Sequence, residues 1–145
     1  MAEAWQGWVP ADQQTMQCDR CLYLYHYSNG TIYYIGKAYD CTVAERRQSH
    51  ADEGLITIGG FIEPSQRLTI KVGIVKPEAG QSLTDQLVSD IEALLIRQTN
   101  PSGNIQKPAV SRTLTVTCSG GWPYQQTVYS NRLIAGLPRY RGLGQ

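Results

Sequence analysis

Two tyrosine-rich runs, Tyr23-Leu-Tyr-His-Tyr27 and Thr31-Ile-Tyr-Tyr-Ile35, flank Ser28-Asn29-Gly30 and constrain this chain more than any other feature. Aromatic and β-branched residues on both sides of an Asn-Gly pair specify a β-hairpin. Asn and Gly tolerate the positive φ angles that two-residue turns require. The second strand ends at Gly36, and Lys37-Ala-Tyr-Asp-Cys41 follows as a loop. Thr42 with Glu45 three residues on forms a capping box, so a helix runs from Val43 to Asp52 until Gly54 stops it. Arg46 and His50 are four apart on that helix and share a face. Tyrosines, a lysine, an arginine and a histidine are thus drawn into one neighbourhood.

The rest of the chain supplies two further strong elements. Arg67 to Val75 alternates as a strand, the third of a small sheet. Ser82 with Asp85 signals another helix start, and Leu83, Leu87, Ile91, Leu94 and Leu95 then line one face. Glu92 sits at the margin of that apolar stripe, where a buried carboxylate needs a partner, either an arginine or a metal ion. Asn100-Pro101 breaks the helix. Leu55 to Phe61 is an apolar, glycine-interrupted stretch. Ser111 to Cys118 and Gln126 to Tyr129 read as strands, Asn131 to Leu137 as a helical turn, and Pro138 to Gln145 as a tail. Met1 to Gln17 shows no period and reads as an irregular arm whose Trp5 and Trp8 pack on the domain, the favoured reading, or form part of a binding surface. The expectation is an α+β fold, a small three-stranded antiparallel sheet flanked by helices. It comprises an arm at residues 1-20, a body at 21-104 and an extension at 105-145 within the same compact unit.

Tyr34-Ile35-Gly36 resembles the second half of the signature of the GIY-YIG nucleases, and Cys21-Leu22-Tyr23 occupies the place of the first half, eleven residues earlier tyrosine to tyrosine. Cys21 stands where the family usually has glycine. The resemblance covers residues 21-104 and continues through Lys37, through Arg46 with His50 one turn later, through Glu92 with Leu95-Ile96, and through Pro101 and Asn104. It implies a metal-dependent endonuclease acting on DNA. Glu92 would hold a single Mg²⁺ or Mn²⁺, which keeps several waters and borrows phosphate oxygens. Arg46 would stabilise phosphoryl charge, and Tyr23 or Tyr34 would be the general base. Free tyrosine titrates near 10, so that role demands electropositive company such as Lys37. His50 would orient the base or touch phosphate, and Asn104 would either hold the site together or cap the turn after Pro101.

The 13 Lys and Arg nearly balance the 12 Asp and Glu, so the whole chain carries no polyanion-binding signature. The distribution is uneven. From Ile105 onward Lys107, Arg112, Arg132, Arg139 and Arg141 face no acidic residue, while the first 104 residues are net negative. That basic extension suits DNA as partner, and equally suits a scatter of solvated surface charges. No apolar run approaches the ~20 residues of a membrane span. Met1 to Gln14 lacks a basic start followed by an apolar core, which makes the cytoplasm the expected location. Cys18-Asp-Arg-Cys21 is a CxxC, but Cys41 and Cys118 are isolated rather than a second pair, which favours reduced thiols over structural zinc. A non-catalytic nucleic-acid-binding module on the same scaffold, with Tyr140 between Arg139 and Arg141 stacking on bases, is the alternative. A sequence-specific cutter of both strands would favour a homodimer, because a two-fold axis matches palindromic DNA.

Overall fold

A computed structural model describes residues 2-52, 61-63, 66-105 and 107-131, with side chains at 7-49, 68-105 and 107-131. The hairpin forms as the sequence dictates, from β2 (Cys21–Tyr27) and β3 (Ile32–Ala38). Its turn is not the two-residue form. The Gly30 amide donates to Tyr27 O at 2.9 Å, Tyr27 N donates to Thr31 O at 2.9 Å, and of Asn29 and Gly30 only Gly30 has positive φ, at 90°. A three-residue loop with one left-handed glycine closes this hairpin, and Asn29 contributes its side chain instead, accepting from Thr31 N at 2.9 Å. A register shift between Tyr25 and His26 makes Tyr33 the extra residue on β3.

The sheet is larger than three strands. In the order β3-β2-β5-β1-β6-β7, β5 spans Gln66–Pro77, β1 Ala2–Pro10, β6 Leu114–Gly120 and β7 Thr127–Ser130. A short β4, Phe61–Glu63, pairs with β5. The expected three strands are β3-β2-β5, and the supposed arm is the strand that extends them. β1 runs antiparallel to β5 and parallel to β6 in the middle of the sheet. The irregular-arm reading fails because β1 takes its strand conformation from pairing with β5 and β6 rather than from a local period. Trp8 nevertheless packs as expected, 1% exposed against Trp122 with ring centroids 5.1 Å apart. The Trp5 side chain, Gly54, Leu55–Gly60, the 132-137 part of the supposed helical turn and the tail lie outside the described residues.

Two helices complete the fold. α1 (Val43–Asp52) carries the expected capping box: Glu45 Oε1 accepts from Thr42 N at 2.9 Å and Thr42 Oγ1 from Glu45 N at 3.1 Å. α2 (Asp85–Thr99) is capped by Thr84, whose hydroxyl accepts from Leu87 N at 3.1 Å, and not by Ser82. Its C-cap, Asn100, is left-handed at φ 49°. The α2 face of the sheet buries Leu22, Leu24, Ile35, Leu87, Ile91, Leu94, Leu95, Leu114 and Val116 with both indoles. On the opposite face Cys21, Tyr23, Tyr25, Ala38, Val43, Leu68 and Val72 pack beneath α1 and the 3-10 turn Thr15–Gln17. Alternation along β2 divides them, Leu22 and Leu24 to one face and Cys21, Tyr23 and Tyr25 to the other.

Candidate active site

β3 is an edge of the sheet, and the candidate residues gather around that edge. Cross-strand pairing puts Tyr23 opposite Gly36 and Tyr25 opposite Tyr34, so the three tyrosine rings share a face. Tyr23 and Tyr34 stack at 6.2 Å and 28°, and Tyr25 lies 6.0 Å from Tyr34. The signature glycine has a steric reason. A Cβ at Gly36 would meet the Tyr23 ring carbon Cζ at 2.5 Å and Tyr34 Cε1 at 2.9 Å, so only glycine lets Tyr23 lie across β3.

α1 delivers Arg46 to these phenols, and its guanidinium hydrogen-bonds the Tyr23 hydroxyl. Tyr23 is fully buried. Burial, then the neighbouring Tyr34, push its pKa well above the ordinary tyrosine value, against the lowering pull of Arg46. Tyr34 is only partly buried; burial and the Glu92 carboxylate raise its pKa, while Arg46 and a hydrogen bond with Tyr23 oppose the rise. Glu92 enters from α2 on the other side of β3. Burial pushes its carboxyl up to about 7, with Lys37, Arg46 and a bond from the Lys37 backbone amide acting in the opposite sense. Lys37 itself spans to α2, donating to Asp85 Oδ1 at 2.6 Å and to Ser89 Oγ at 2.5 Å.

Asn104 holds the outer edge of β3. Its Oδ1 accepts from Ile35 N and its Nδ2 donates to Ile35 O, both at 2.9 Å, so the side chain imitates a neighbouring strand next to Tyr34. Gly103 N extends the pairing to Tyr33 O at 2.7 Å. The turn after Pro101 is closed by the Asn104 backbone amide, which donates to Pro101 O at 3.2 Å, so the Asn104 side chain is left to brace β3.

The fold therefore brings together Tyr23, Tyr34, Lys37, Arg46 and Glu92, with Asn104 bracing the edge. His50 lies in α1, and its side chain is outside the described residues. Two residues of the basic extension have partners within the fold. Arg112 Nε binds Asp90 Oδ2 at 2.9 Å, and Lys107 Nζ donates to Pro101 O at 3.2 Å. Arg132, Arg139 and Arg141 lie outside the described residues. Sequence reasoning missed Asp85 and Ser89, although their spacing from Glu92 along α2, four and then three residues, was a readable one-face signal. It also missed Asp90, a carboxylate 2% exposed that accepts from Ser111 N and Ser111 Oγ and binds Arg112. Burial raises the Asp90 pKa, but the hydrogen bonds from Ser111 and Gln86 and the Arg112 charge outweigh it and hold the carboxyl below its usual range.

Among the described residues no three His, Cys, Asp or Glu side chains converge on a metal position. An ion here would rest on Glu92, with waters and substrate oxygens filling the remaining sites, which fits Mg²⁺ or Mn²⁺ rather than a thiolate metal. Cys18 and Cys41 pack against the cluster that contains Cys21, whose thiol is pushed up to about 12 by burial; all three are free, and Cys118 lies in the other core. No helix among the described residues is long and apolar enough to cross a membrane. No protein-family model, curated protein or solved structure matches this chain.

Proposed function

We propose that the chain is a nuclease of the GIY-YIG kind that hydrolyses DNA phosphodiester bonds. The observation that carries this reading is convergence. Tyr23, Tyr34, Arg46 and Glu92, drawn from β2, β3, α1 and α2, meet as an interacting set at one sheet edge, with Lys37 bridging to α2. A structural ion pair would not need two phenols, two cations and a carboxylate in a single cluster.

Burial divides the work of the two tyrosines. Tyr34 is accessible and acts as general base toward a water; Tyr23, sealed beneath it, holds Arg46 by its hydroxyl. Burial is the main cause of the raised pKa of Tyr34, with the Glu92 charge adding to it; Arg46 opposes the rise directly, and Lys37 and Arg46 offset the Glu92 charge. Arg46 also presents a fork of donors to the phosphoryl oxygens. A divalent cation held by Glu92 would supply Lewis-acid stabilisation of the leaving oxygen. Asn104 keeps β3, and with it Tyr34, in place.

The test is incubation of purified protein with supercoiled plasmid in Mg²⁺ or Mn²⁺. The wild-type chain nicks or linearises the plasmid, Arg46→Ala slows cleavage by about 10²- to 10³-fold, and Glu92→Ala abolishes it while DNA binding in EDTA persists. Full activity in Glu92→Ala would sink the assignment. Binding in EDTA with no cutting by the wild-type chain would replace it with the non-catalytic binding module.

A further inference from the structure

Asp85, Ser89 and Glu92 occupy one face of α2 at its N-terminal half, and Lys37 crosses from β3 to meet that face. The ammonium is held at two points, 2.6 Å from Asp85 Oδ1 and 2.5 Å from Ser89 Oγ, and Ser89 Oγ is 3.4 Å from the same Asp85 oxygen. A lysine stem of four carbons otherwise samples many rotamers, so a two-point hold fixes where its charge stands. Stability does not account for the arrangement. The Lys37 and Asp85 side chains are 31% and 53% exposed, and solvent-screened pairs of that kind contribute little to folding. Capping does not account for it either, because Thr84 already caps α2.

We propose that Asp85 and Ser89 are positioning residues, which act through Lys37 by aiming its ammonium along the α2 face beside Glu92, where the scissile phosphate would lie. This rests on the nuclease reading and deepens it. Lys37 is then a fixed cation of the site, ready before substrate arrives, and the orientation is set by a part of α2 that need never touch DNA. Pre-set charge of this kind acts on the bond-breaking step more than on substrate affinity.

The proposal is tested by single-turnover plasmid cleavage in Mg²⁺ or Mn²⁺ with Asp85→Asn, Ser89→Ala, Asp85→Glu, Lys37→Met and the double variant Lys37→Met/Asp85→Asn. DNA affinity in EDTA and thermal melting are measured on each. Asp85→Asn is expected to slow cleavage about tenfold, as a modest misplacement of a catalytic group does, with DNA affinity changed less than about twofold. Ser89→Ala slows it less, and Asp85→Glu restores part of the rate. The double variant is no slower than Lys37→Met alone, because Asp85 acts only through Lys37. Undiminished cleavage by Asp85→Asn, or multiplicative losses in the double variant, would overturn the positioning role while leaving the nuclease reading intact. A wild-type chain that cuts no DNA removes the nuclease reading and this proposal with it.

Discussion

The two faces of the sheet are built from different materials. Under α2 the core is leucine, isoleucine and valine around two indoles. Under α1 it mixes aliphatic residues, Ala38, Val43, Leu68 and Val72, with the phenols of Tyr23 and Tyr25 and the Cys21 thiol. The first face is mainly aliphatic; within its buried cluster, polar side-chain atoms are confined to the Trp8 and Trp122 indoles and the Cys118 thiol. The second buries phenols, which must find hydrogen bonds, and the partners they find are one another and Arg46. Polar groups ordered inside a dry layer are expensive scaffolding but good chemistry, and the candidate site lies where that layer reaches the β3 edge.

This contrast can be broken from either side. Leu94→Ala, in the aliphatic core, is expected to lower unfolding free energy by about 2–5 kcal/mol in urea melts while the surviving folded fraction keeps its cleavage rate. Loss of cleavage without loss of stability would erase the distinction.

The next effect is a pH dependence. Glu92 has a folded pKa of about 7 against an ordinary 4.5, so between those values the folded chain holds a proton that the unfolded chain has released. In EDTA this group's contribution is most favourable below about pH 4.5. It declines as pH rises and is fully lost above about pH 7, a difference of about 3 kcal/mol. Glu92→Gln should remove that slope, read from urea midpoints at several pH values. An unchanged slope would mean that Glu92 is better solvated than its burial indicates.

Asn104→Ala strips two hydrogen bonds from Ile35 and should lower stability by about 1–3 kcal/mol. It should also slow cleavage more than its stability loss explains, since Tyr34 is the adjoining residue. Thr84→Ala, the helix cap on the aliphatic side, should lower stability by about 1 kcal/mol and leave the rate per folded molecule unchanged.

What was legible in the sequence follows from the range of each signal. The hairpin, the capping box at Thr42 and the amphipathic stripe of α2 are written within a few residues of one another, and all three form. β1 is not written locally. Its run Ala2–Pro10 owes its strand conformation to pairing with β5 and β6, both of them far along the chain. The same holds within the site. Tyr23, Tyr34, Arg46 and Glu92 could be picked out because the sequence around them resembles a known nuclease signature, whereas the Lys37 hold on Asp85 and Ser89 appears only once β3 and α2 are packed. The ion pair of Arg112 was not legible because its partner Asp90 is 22 residues away on a helix.

The position of β1 also bears on how the chain reaches its native state. β5 and β6 do not pair with each other; each pairs with β1, so β3-β2-β5 and β6-β7 are two separate ribbons until β1 slides between them. β1 precedes both of its partners in the chain, and it gains its second neighbour only once β6 has been made. Closures across such separations are slow, on the order of milliseconds to seconds. Until β1 docks on each of them, the facing edges of β5 and then β6 are open to edge-to-edge association.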